Sequence, residues 1–540
     1  MSKWNYADAW ETVADTAPDE VALIHGPRRV TWRSFDSEAD RLARFLLDAG
    51  LGQQAKVAEY LVNCPEYLVA MFACFKAGLV PINTNYRYGG DELTHLWTVA
   101  DIDAVVFHGR FTATASQVRT RLGRVQTWIH VDDGTDPCPP WAVPYTEAVA
   151  GPTQSRVRGP WGRSSDDLFL LYTGGTTGLP KGVMWRQDDV FARMNAGAMI
   201  RYPEEGDVRD IPVQLARRRG PVHVPASPLM HGTGAITAMS SLAQGGRVVT
   251  LTAASFDAIE LLDVIEAERV ETMAIVGDMF ARPLVAALDA EPDRWDITSL
   301  RQVLSSGVGW SLQSQQALLR HHPRLVIIDA LGASEAIGIA RAVRTGDALG
   351  SPGRFEMADT TRVIGPDDRD VVAGSGEIGR VAARGRVPLG YYGDPEASAR
   401  VFPVIDGVRH AIAGDLATVE TDGTVQLLGR GSQCINTGGE KVFAEEVEDV
   451  IKTHPGVADA VVLGLPDATW GESVCAVVAP HPGLDLDAEA VIAVVRARLA
   501  SYKAPKRVIV VDTIGRGANG KLDYPALRTV ALAAIEEGRA

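Results

Sequence analysis

Glycines, threonines and one lysine cluster after an apolar run near residue 170. Residues 168–172 predict a strand. The chain then continues with Thr173, Gly174, Gly175, Thr176, Thr177, Gly178 and Lys181. Glycines let several backbone N–H groups face one anion, hydroxyls can donate to phosphate oxygens, and the lysine adds positive charge. We therefore interpret this segment as a phosphate-binding loop, with a flexible surface turn as the alternative.

An ATPase of the Walker type also places a glycine-rich loop after a strand, but that loop ends in Gly-Lys-Ser or Gly-Lys-Thr. Here Pro180 precedes Lys181, and Gly182 follows it. The helix-opening lysine and the metal-binding hydroxyl of the Walker pattern are therefore missing.

Two acidic residues stand where a nucleotide could use them. Glu335 is predicted to end a loop after a strand at 325–328, and a carboxylate there can hold Mg²⁺ shared with phosphates. Asp415 follows Gly414 near a strand, and its two oxygens match the two ribose hydroxyls of ATP. A solvated loop acid and a turn-forming Gly-Asp pair are the respective alternatives.

His231 follows an apolar Pro-Leu-Met segment and precedes small residues. This position suits the mouth of an apolar tunnel, and a buried structural histidine is an equal alternative.

The elements around these residues alternate between strands and helices. Residues 57–61, 79–83 and 104–107 predict strands, and Pro65 opens a helix whose apolar face recurs until Gly78. This alternation predicts parallel sheets covered by helices. A short glycine-rich passage near residue 430, followed by a helix and a strand at 460–463, predicts a smaller α+β domain.

Composition bounds the class of protein. A chain of 540 residues with 46% hydrophobic and 22% charged residues predicts two or more globular domains. The net charge of −15 argues against a broad nucleic-acid-binding surface.

The five cysteines lie far apart, which favours reduced thiols in a cytoplasmic protein. The apolar stretch 67–82 is too interrupted to span a bilayer, which leaves peripheral membrane contact open, and residues 201–221 predict a solvated loop.

Eight segments together resemble the adenylate-forming superfamily, which includes acyl-CoA synthetases, luciferases and non-ribosomal adenylation domains. Residues 172–182 resemble its signature loop, and seven further segments resemble other motifs in the same order. These are residues 227–231, 305–309, 331–335, 414–415, 429–430, 437–440 and 519–521. The resemblance covers essentially the whole chain.

The resemblance implies an α/β fold in two domains. A large N-terminal domain at 1–431 is expected to contain helix-covered, mainly parallel sheets and a β-barrel-like subdomain. A hinge at Ser432 and Gln433 is expected to lead into a small, mobile α+β domain at 434–540. In the family this domain rotates between two half-reactions, which sequesters the adenylate from water.

The resemblance also implies an acyl-CoA synthetase that uses ATP, Mg²⁺ and coenzyme A. Thr173 and Glu335 would hold the metal, and Lys521, Glu335 and His231 would be the catalytic residues, with Lys521 against the α-phosphate. Coenzyme A would contact Thr437, Gly438 and Gly439. Besides Thr173 and Lys521, the nucleotide would contact Gly174, Gly175, Thr176, Thr177, Gly178, Lys181, Ser306, Gly307, Val308, Asp329, Ala330, Leu331, Gly332, Ala333, Ser334, Asp415, Arg430 and Lys441.

The chain departs from the family pattern at four positions. Gly174 replaces a serine, Leu331 an aromatic residue, Ser334 a threonine, and Gln433 a hinge aspartate or lysine. Leu331 would replace stacking on adenine by apolar contact, so we expect modest nucleotide affinity.

The acyl substrate and the assembly are the least constrained inferences. Residues 228–231 lack the aspartate of amino-acid adenylation domains, which favours an unsubstituted acid. Small side chains at 232–239 and the segment 277–283 resemble actinobacterial fatty-acid and steroid side-chain synthetases. A medium- or long-chain fatty acid or a steroid side-chain acid is therefore expected, with a homodimer as one possible assembly. A carrier-protein-loading ligase, a luciferase-like oxygenase and a non-catalytic nucleotide-binding protein are the alternatives.

Overall fold

The chain divides into two compact units. The first comprises Met1–Leu349 and Ala383–Ala411, and the second comprises Gly350–Ala382 and Ile412–Ala540. The computed structural model describes residues 4–152, 155–174, 180–346, 353–430, 434–437, 440–467, 471–499, 501–517 and 522–537. Ser432 and Gln433 lie outside these ranges, and the predicted boundary beside them remains a prediction.

One sheet of the first unit carries both arms of the predicted phosphate loop. In spatial order its eight described strands are Gly390–Tyr391, Pro180–Arg186, Leu168–Gly174, Val80–Asn83, Lys56–Tyr60, Ile102–His108, Thr127–Val131 and Val143–Pro144. The pairs from Leu168–Gly174 to Val143–Pro144 are parallel. Pro180–Arg186 pairs antiparallel with both of its neighbours. The strands predicted at 57–61, 79–83 and 104–107 are present with slightly shifted ends.

A second sheet of the first unit carries the remaining nucleotide-binding segments predicted there. Its strands in order are Arg28–Thr31, Val21–His25, Arg247–Thr250, Val222–Pro225, Thr272–Ile275, Gln302–Ser306, Val326–Ala333 and Ala336–Arg344. The inner pairs are parallel, and the first and last pairs are antiparallel. The prediction of a loop before Glu335 is wrong, because residues 329–333 continue the strand and pair with Ala336–Arg344.

Helices cover these sheets. In chain order they are Tyr6–Thr16, Trp32–Asp48, Pro65–Ala77, Gly90–Val99, Thr112–Arg119, Tyr145–Ala148, Gln187–Gly197, Asp210–Arg217, Gly232–Ala243, Ala258–Ala267, Asp278–Ala290, Leu312–His321 and Pro395–Val401. The helix predicted after Pro65 ends at Gly78, whose φ of 68° lies in the left-handed region that glycine adopts easily. The unit also contains the hairpin strands Val404–Ile405 and Val408–Ala411.

The segment 201–221 contains more structure than the sequence predicted. The helix Asp210–Arg217 lies within it, and buries Ile211 and Leu215 four residues apart. The arginines and proline around this short apolar stripe conceal its period, so the prediction of an irregular loop is wrong here. No helix within the described ranges is long and apolar enough to cross a membrane.

The second unit is built from mostly antiparallel strands and three described α-helices. Its first strands are Arg354–Met357, Thr361–Ile364, Gly379–Arg384, Asp415–Val419 and Val425–Arg430. A further sheet has the order Glu440–Phe443, Cys434–Thr437, Gly471–Pro480 and Val457–Asp467, with Arg507–Val510 parallel to Gly471–Pro480. Its helices are Ala444–Ile451, Ala488–Arg498 and Tyr524–Glu536. The predicted α/β class, with parallel-rich sheets and a small C-terminal α+β domain, is confirmed.

A buried charge network anchors the helix Pro65–Ala77. The fully buried Lys76 Nζ lies 2.8 Å from Glu11, 2.7 Å from Asp36 and 2.9 Å from Asp40. Burial opposes ionisation of Glu11, but hydrogen bonds and charges from Arg163 and Lys76 outweigh it and lower the pKa of Glu11 to about 2. The apolar helix therefore contains a lysine whose charge is matched by carboxylates.

Replacing Lys76 by methionine is expected to leave these carboxylates without their shared cation. Removal of one partner from a buried ion pair typically costs about 3–5 kcal/mol, and we expect a loss of that size in the free energy of unfolding. Urea denaturation at neutral pH measures it. Arg33→Met, which breaks an exposed pair with Asp19, is the control and should change stability little. Equal small effects of both changes would contradict the role of Lys76.

Candidate active site

The two arms of the predicted phosphate loop form a paired hairpin. Thr173 lies opposite Lys181 and Gly174 opposite Pro180, so both threonine and lysine belong to strands and not to the loop predicted from the sequence. Gly182 must be small, because a Cβ there would come within 2.5 Å of the Tyr172 ring. The predicted contacts Gly175, Thr176, Thr177 and Gly178 lie outside the described residues.

Lys181 is held by two neighbours from another part of the chain. Its Nζ lies 3.1 Å from Asp394 Oδ2 and 5.2 Å from the centre of the Tyr391 ring. Asp394 also caps the helix Pro395–Val401 by accepting from the Ala397 N–H. That backbone hydrogen bond, followed by the one from Lys181, holds the pKa of Asp394 below its usual range. A cation is thus fixed directly across from Thr173.

Glu335 lies in the tight turn between Val326–Ala333 and Ala336–Arg344 and is half-buried. The Tyr391 hydroxyl donates to Glu335 Oε1 at 2.7 Å. The buried Trp185 indole N–H donates to the Ser334 carbonyl at 2.8 Å, which fixes the turn itself. Lys181 and Glu335 are therefore linked through one tyrosine.

Neither Tyr391 nor Trp185 was predicted from the sequence as a site residue. Tyr391 lies 56 positions from Glu335 along the chain, and the pairing that brings it there involves strands whose register no local pattern specifies. The two adjacent tyrosines before Asp394 and Pro395 were the available signal.

The residues fit a magnesium ion that is shared with phosphates. Among the described residues, no three histidine, cysteine, aspartate or glutamate side chains form a group able to hold a metal. Mg²⁺ is commonly bound through one or two carboxylates together with substrate phosphates and water. Glu335 would supply the carboxylate and Thr173 the hydroxyl for such a site, and both roles remain predictions.

Two predicted nucleotide-binding segments, at 306–308 and 329–334, begin on adjacent parallel strands. Ser305 is paired with Asp329 and Ser306 with Ala330, which places the two segments at one edge of the sheet. Gly307 continues beyond this edge with a φ of 98°. Half-buried or exposed positions here include Ser306, Gly307, Val308, Asp329, Ala330, Leu331, Gly332, Ala333 and Ser334. Open parallel sheets bind ligands at such strand ends.

Asn83 joins the phosphate strand to the segment before His231. Its side chain donates to the carbonyls of Tyr172 at 2.8 Å and Met230 at 2.7 Å, and accepts from the Tyr172 N–H at 2.7 Å. His231 itself is half-buried and directly precedes the helix Gly232–Ala243. The predicted strand and the motif at 227–231, which ends in His231, are therefore joined by one buried amide that the sequence did not reveal.

The second unit holds the other described site residues. Asp415 is buried and is paired across two strands with Arg430. Thr437 lies opposite Glu440, and Lys441 lies opposite Asn436. Gly438, Gly439 and Lys521 lie outside the described residues, as do the hinge positions. Asp415 and Arg430 are thus adjacent, while the roles of all site residues remain predictions.

Comparison with known proteins identifies related enzymes. The model of the AMP-binding enzyme family matches residues 10–392, and that of the AMP-binding enzyme C-terminal domain matches residues 446–521. A medium/long-chain-fatty-acid–CoA/3-oxocholest-4-en-26-oate–CoA ligase of Mycobacterium marinum is 38% identical, covering 96% of this chain and 95% of the relative. A 3-oxocholest-4-en-26-oate–CoA ligase of Rhodococcus rhodochrous is 37% identical, covering 96% and 94%. These matches confirm the predicted resemblance.

Solved structures share the fold over nearly the whole chain. The anthranilate CoA ligase AuaEII in complex with anthranoyl-AMP has a TM-score of 0.84 at 21% identity, with 99% of this chain and 98% of that chain covered. ATP-bound MatB from Rhodopseudomonas palustris has a TM-score of 0.79 at 25% identity, with 97% and 98% covered.

Asn83→Leu is expected to weaken both the fold and the nucleotide site. The change leaves three buried backbone groups without their side-chain partner, and each such group costs about 1–3 kcal/mol. We expect lower stability in denaturation experiments and a higher KM for ATP, because Tyr172 directly precedes Thr173. Asn195→Leu is the matched control, since Asn195 makes similar bonds with Tyr202. Asn195→Leu should reduce stability without changing the KM for ATP. A similar rise in KM in both variants would contradict the proposed link between Asn83 and the nucleotide site.

Proposed function

The chain belongs to the AMP-binding enzyme family, and on that basis we propose that it is an ATP-dependent acyl-CoA synthetase. A carboxylate oxygen attacks the α-phosphorus of ATP and displaces pyrophosphate, giving acyl-AMP. The thiol of coenzyme A then attacks the acyl carbonyl and releases AMP, giving acyl-CoA. The observation that carries this proposal is 37–38% identity over nearly the full length to CoA ligases, and the grouping of Lys181 and Glu335 around Tyr391 supports it.

Each proposed residue has a separate task. Lys181 and the hydroxyls of the loop bind phosphate oxygens, and Asp415 and Arg430 bind the ribose side of the nucleotide. Glu335 and Thr173 would hold Mg²⁺, whose charge offsets that of the phosphates. Lys521 stabilises the charge that develops on the α-phosphate oxygens during attack.

We propose a medium- or long-chain fatty acid or a steroid side-chain acid as the substrate. The names of the relatives from Mycobacterium marinum and Rhodococcus rhodochrous specify such acids as their substrates. In this chain the helix after His231 buries small residues in its first turns, including Gly234, Ala235 and Ala238. Gly234 packs directly on the segment before His231, because a Cβ there would lie 2.5 Å from the Pro228 carbonyl oxygen. His231 would stand at the entrance of the acyl site.

The domain movement and the setting also belong to this proposal. Rotation about Ser432 and Gln433 of residues 434–540 relative to 1–431 would withdraw Lys521 and bring Thr437, Gly438 and Gly439 to the pantetheine arm. Coenzyme A contact at these residues, a homodimer and a cytoplasmic location remain predictions.

A panel of acids tests the reaction and the substrate class together. The purified protein is incubated with ATP, Mg²⁺, coenzyme A and fatty, steroid side-chain, aromatic or short acids, and products are identified by mass spectrometry. We expect acyl-CoA and AMP with medium- or long-chain or steroid acids. Turnover of acetate or aromatic acids alone would refute the substrate class. Failure of every acid to support pyrophosphate exchange into ATP would refute the reaction.

Lys521→Ala is expected to separate the two half-reactions. Loss of one preorganised donor to a developing oxyanion typically lowers rates by about 10²–10³-fold, and we expect acyl-AMP formation to fall by that amount. Thioester formation from supplied acyl-AMP and coenzyme A should persist, as followed by chromatography. Lys452→Ala, which removes a lysine paired with Glu448, should leave both steps intact. Equal loss of both steps in Lys521→Ala would show that the assigned role is wrong.

A further inference from the structure

We propose that Tyr391 is a positioning residue that prepares the magnesium and phosphate sites together. This inference rests on the proposed function, because it assigns the metal to Glu335 and phosphate to Lys181. Tyr391 lies outside the motifs that the sequence indicated. Its hydroxyl reaches Glu335, and its ring face reaches Lys181.

The contact with Glu335 orients the carboxylate without neutralising it. The Tyr391 hydroxyl donates to Oε1 at 2.7 Å, which restrains the rotation of the glutamate side chain. A neutral donor leaves the negative charge in place, and a carboxylate has about four acceptor positions in all. Glu335 can therefore hold the hydroxyl and a metal ion at once.

The contact with Lys181 uses a different part of the same side chain. The ammonium lies 5.2 Å from the ring centre, within the range of a cation–π interaction. This contact does not require the hydroxyl. The two roles of Tyr391 can therefore be separated by two substitutions, one that removes the hydroxyl and one that removes the ring.

Tyr391 is itself firmly held, as a positioning residue must be. It is 7% exposed and is paired with Val183 in the sheet. Its N–H donates to Ser398 Oγ at 2.8 Å, and its ring packs edge-on against Phe402 with centroids 5.3 Å apart. The hydroxyl therefore reaches Glu335 with little further loss of conformational freedom.

Tyr392 provides a matched control in the next position. Its hydroxyl donates to Asp101 at 2.9 Å and accepts from Lys56 at 2.9 Å, so it contacts neither Glu335 nor Lys181 in any described bond. Tyr391→Phe and Tyr392→Phe are the same chemical change at consecutive positions of the chain. A general effect of losing a hydrogen-bonded tyrosine hydroxyl would affect both variants equally.

The test is calorimetric binding of α,β-methylene-ATP with Mg²⁺ and, separately, with EDTA. The dissociation constant in EDTA divided by the dissociation constant with Mg²⁺ measures how strongly the metal contributes to nucleotide binding. Partners that orient metal ligands typically change metal affinity by about 10–100-fold. We expect Tyr391→Phe to reduce the ratio about tenfold, with binding in EDTA unchanged. Tyr391→Leu should also weaken binding in EDTA, because Lys181 loses the ring. Tyr392→Phe should match the unmodified protein.

Two results from Tyr391→Phe would overturn the inference. One is binding equal to that of the unmodified protein both with Mg²⁺ and with EDTA. The other is equal weakening in both conditions, which a merely structural role would produce. Thermal unfolding of each variant confirms that folded protein is compared. The binding experiment contains no carboxylic acid, so it does not depend on the acyl-CoA synthetase reaction. If the unmodified protein binds Mg²⁺ and nucleotide but activates no acid, only the proposed function is refuted. Metal-independent nucleotide binding by the unmodified protein would refute this inference.

Discussion

The register of the strand Pro180–Arg186 determines where the chemical groups of the first unit lie. On one side it pairs with Leu168–Gly174 and sets Lys181 opposite Thr173, and on the other it pairs with Gly390–Tyr391. The same strand carries Trp185, which holds the turn at Ser334. A slip by one residue would turn every one of its side chains to the other face of the sheet. The residues proposed to bind phosphate and metal therefore depend on one set of backbone hydrogen bonds.

Parallel strands impose a second constraint. Where the chain leaves the sheet, the backbone N–H and C=O groups at the strand ends need other hydrogen-bond partners. Asn83 ends one such strand and binds backbone groups of Tyr172 and Met230. Asn63 lies just after the strand Lys56–Tyr60 and accepts from the Leu229 N–H at 2.7 Å. An unpaired backbone group buried at either place would destabilise the fold. These amides thus hold the segment before His231 against the sheet that carries the phosphate loop.

Patterns of neighbouring residues predicted those helices and strands whose formation depends on local interactions. Apolar spacing and the flanking proline and glycine predicted the helix Pro65–Ala77, and apolar runs predicted the parallel strands. The same reasoning failed for residues 329–333, whose half-buried positions lack the apolar signal of a strand but gain antiparallel partners. It also failed for Asp210–Arg217, where two buried residues are too few to show a period. Tyr391 could not be predicted, since its partners are set by pairing between distant strands.

The chain uses charge differently in its core and in its proposed site. Lys76 is fully buried among carboxylates, so its charge is matched within the protein. Lys181 is 27% exposed, and its carboxylate partner Asp394 is 37% exposed. Ion pairs in such settings contribute about 0–1 kcal/mol, so a polyphosphate can replace Asp394 at little cost. Glu335 accepts a hydrogen bond from the neutral hydroxyl of Tyr391. The core network therefore stabilises the fold, whereas the charges at the site remain available to a ligand.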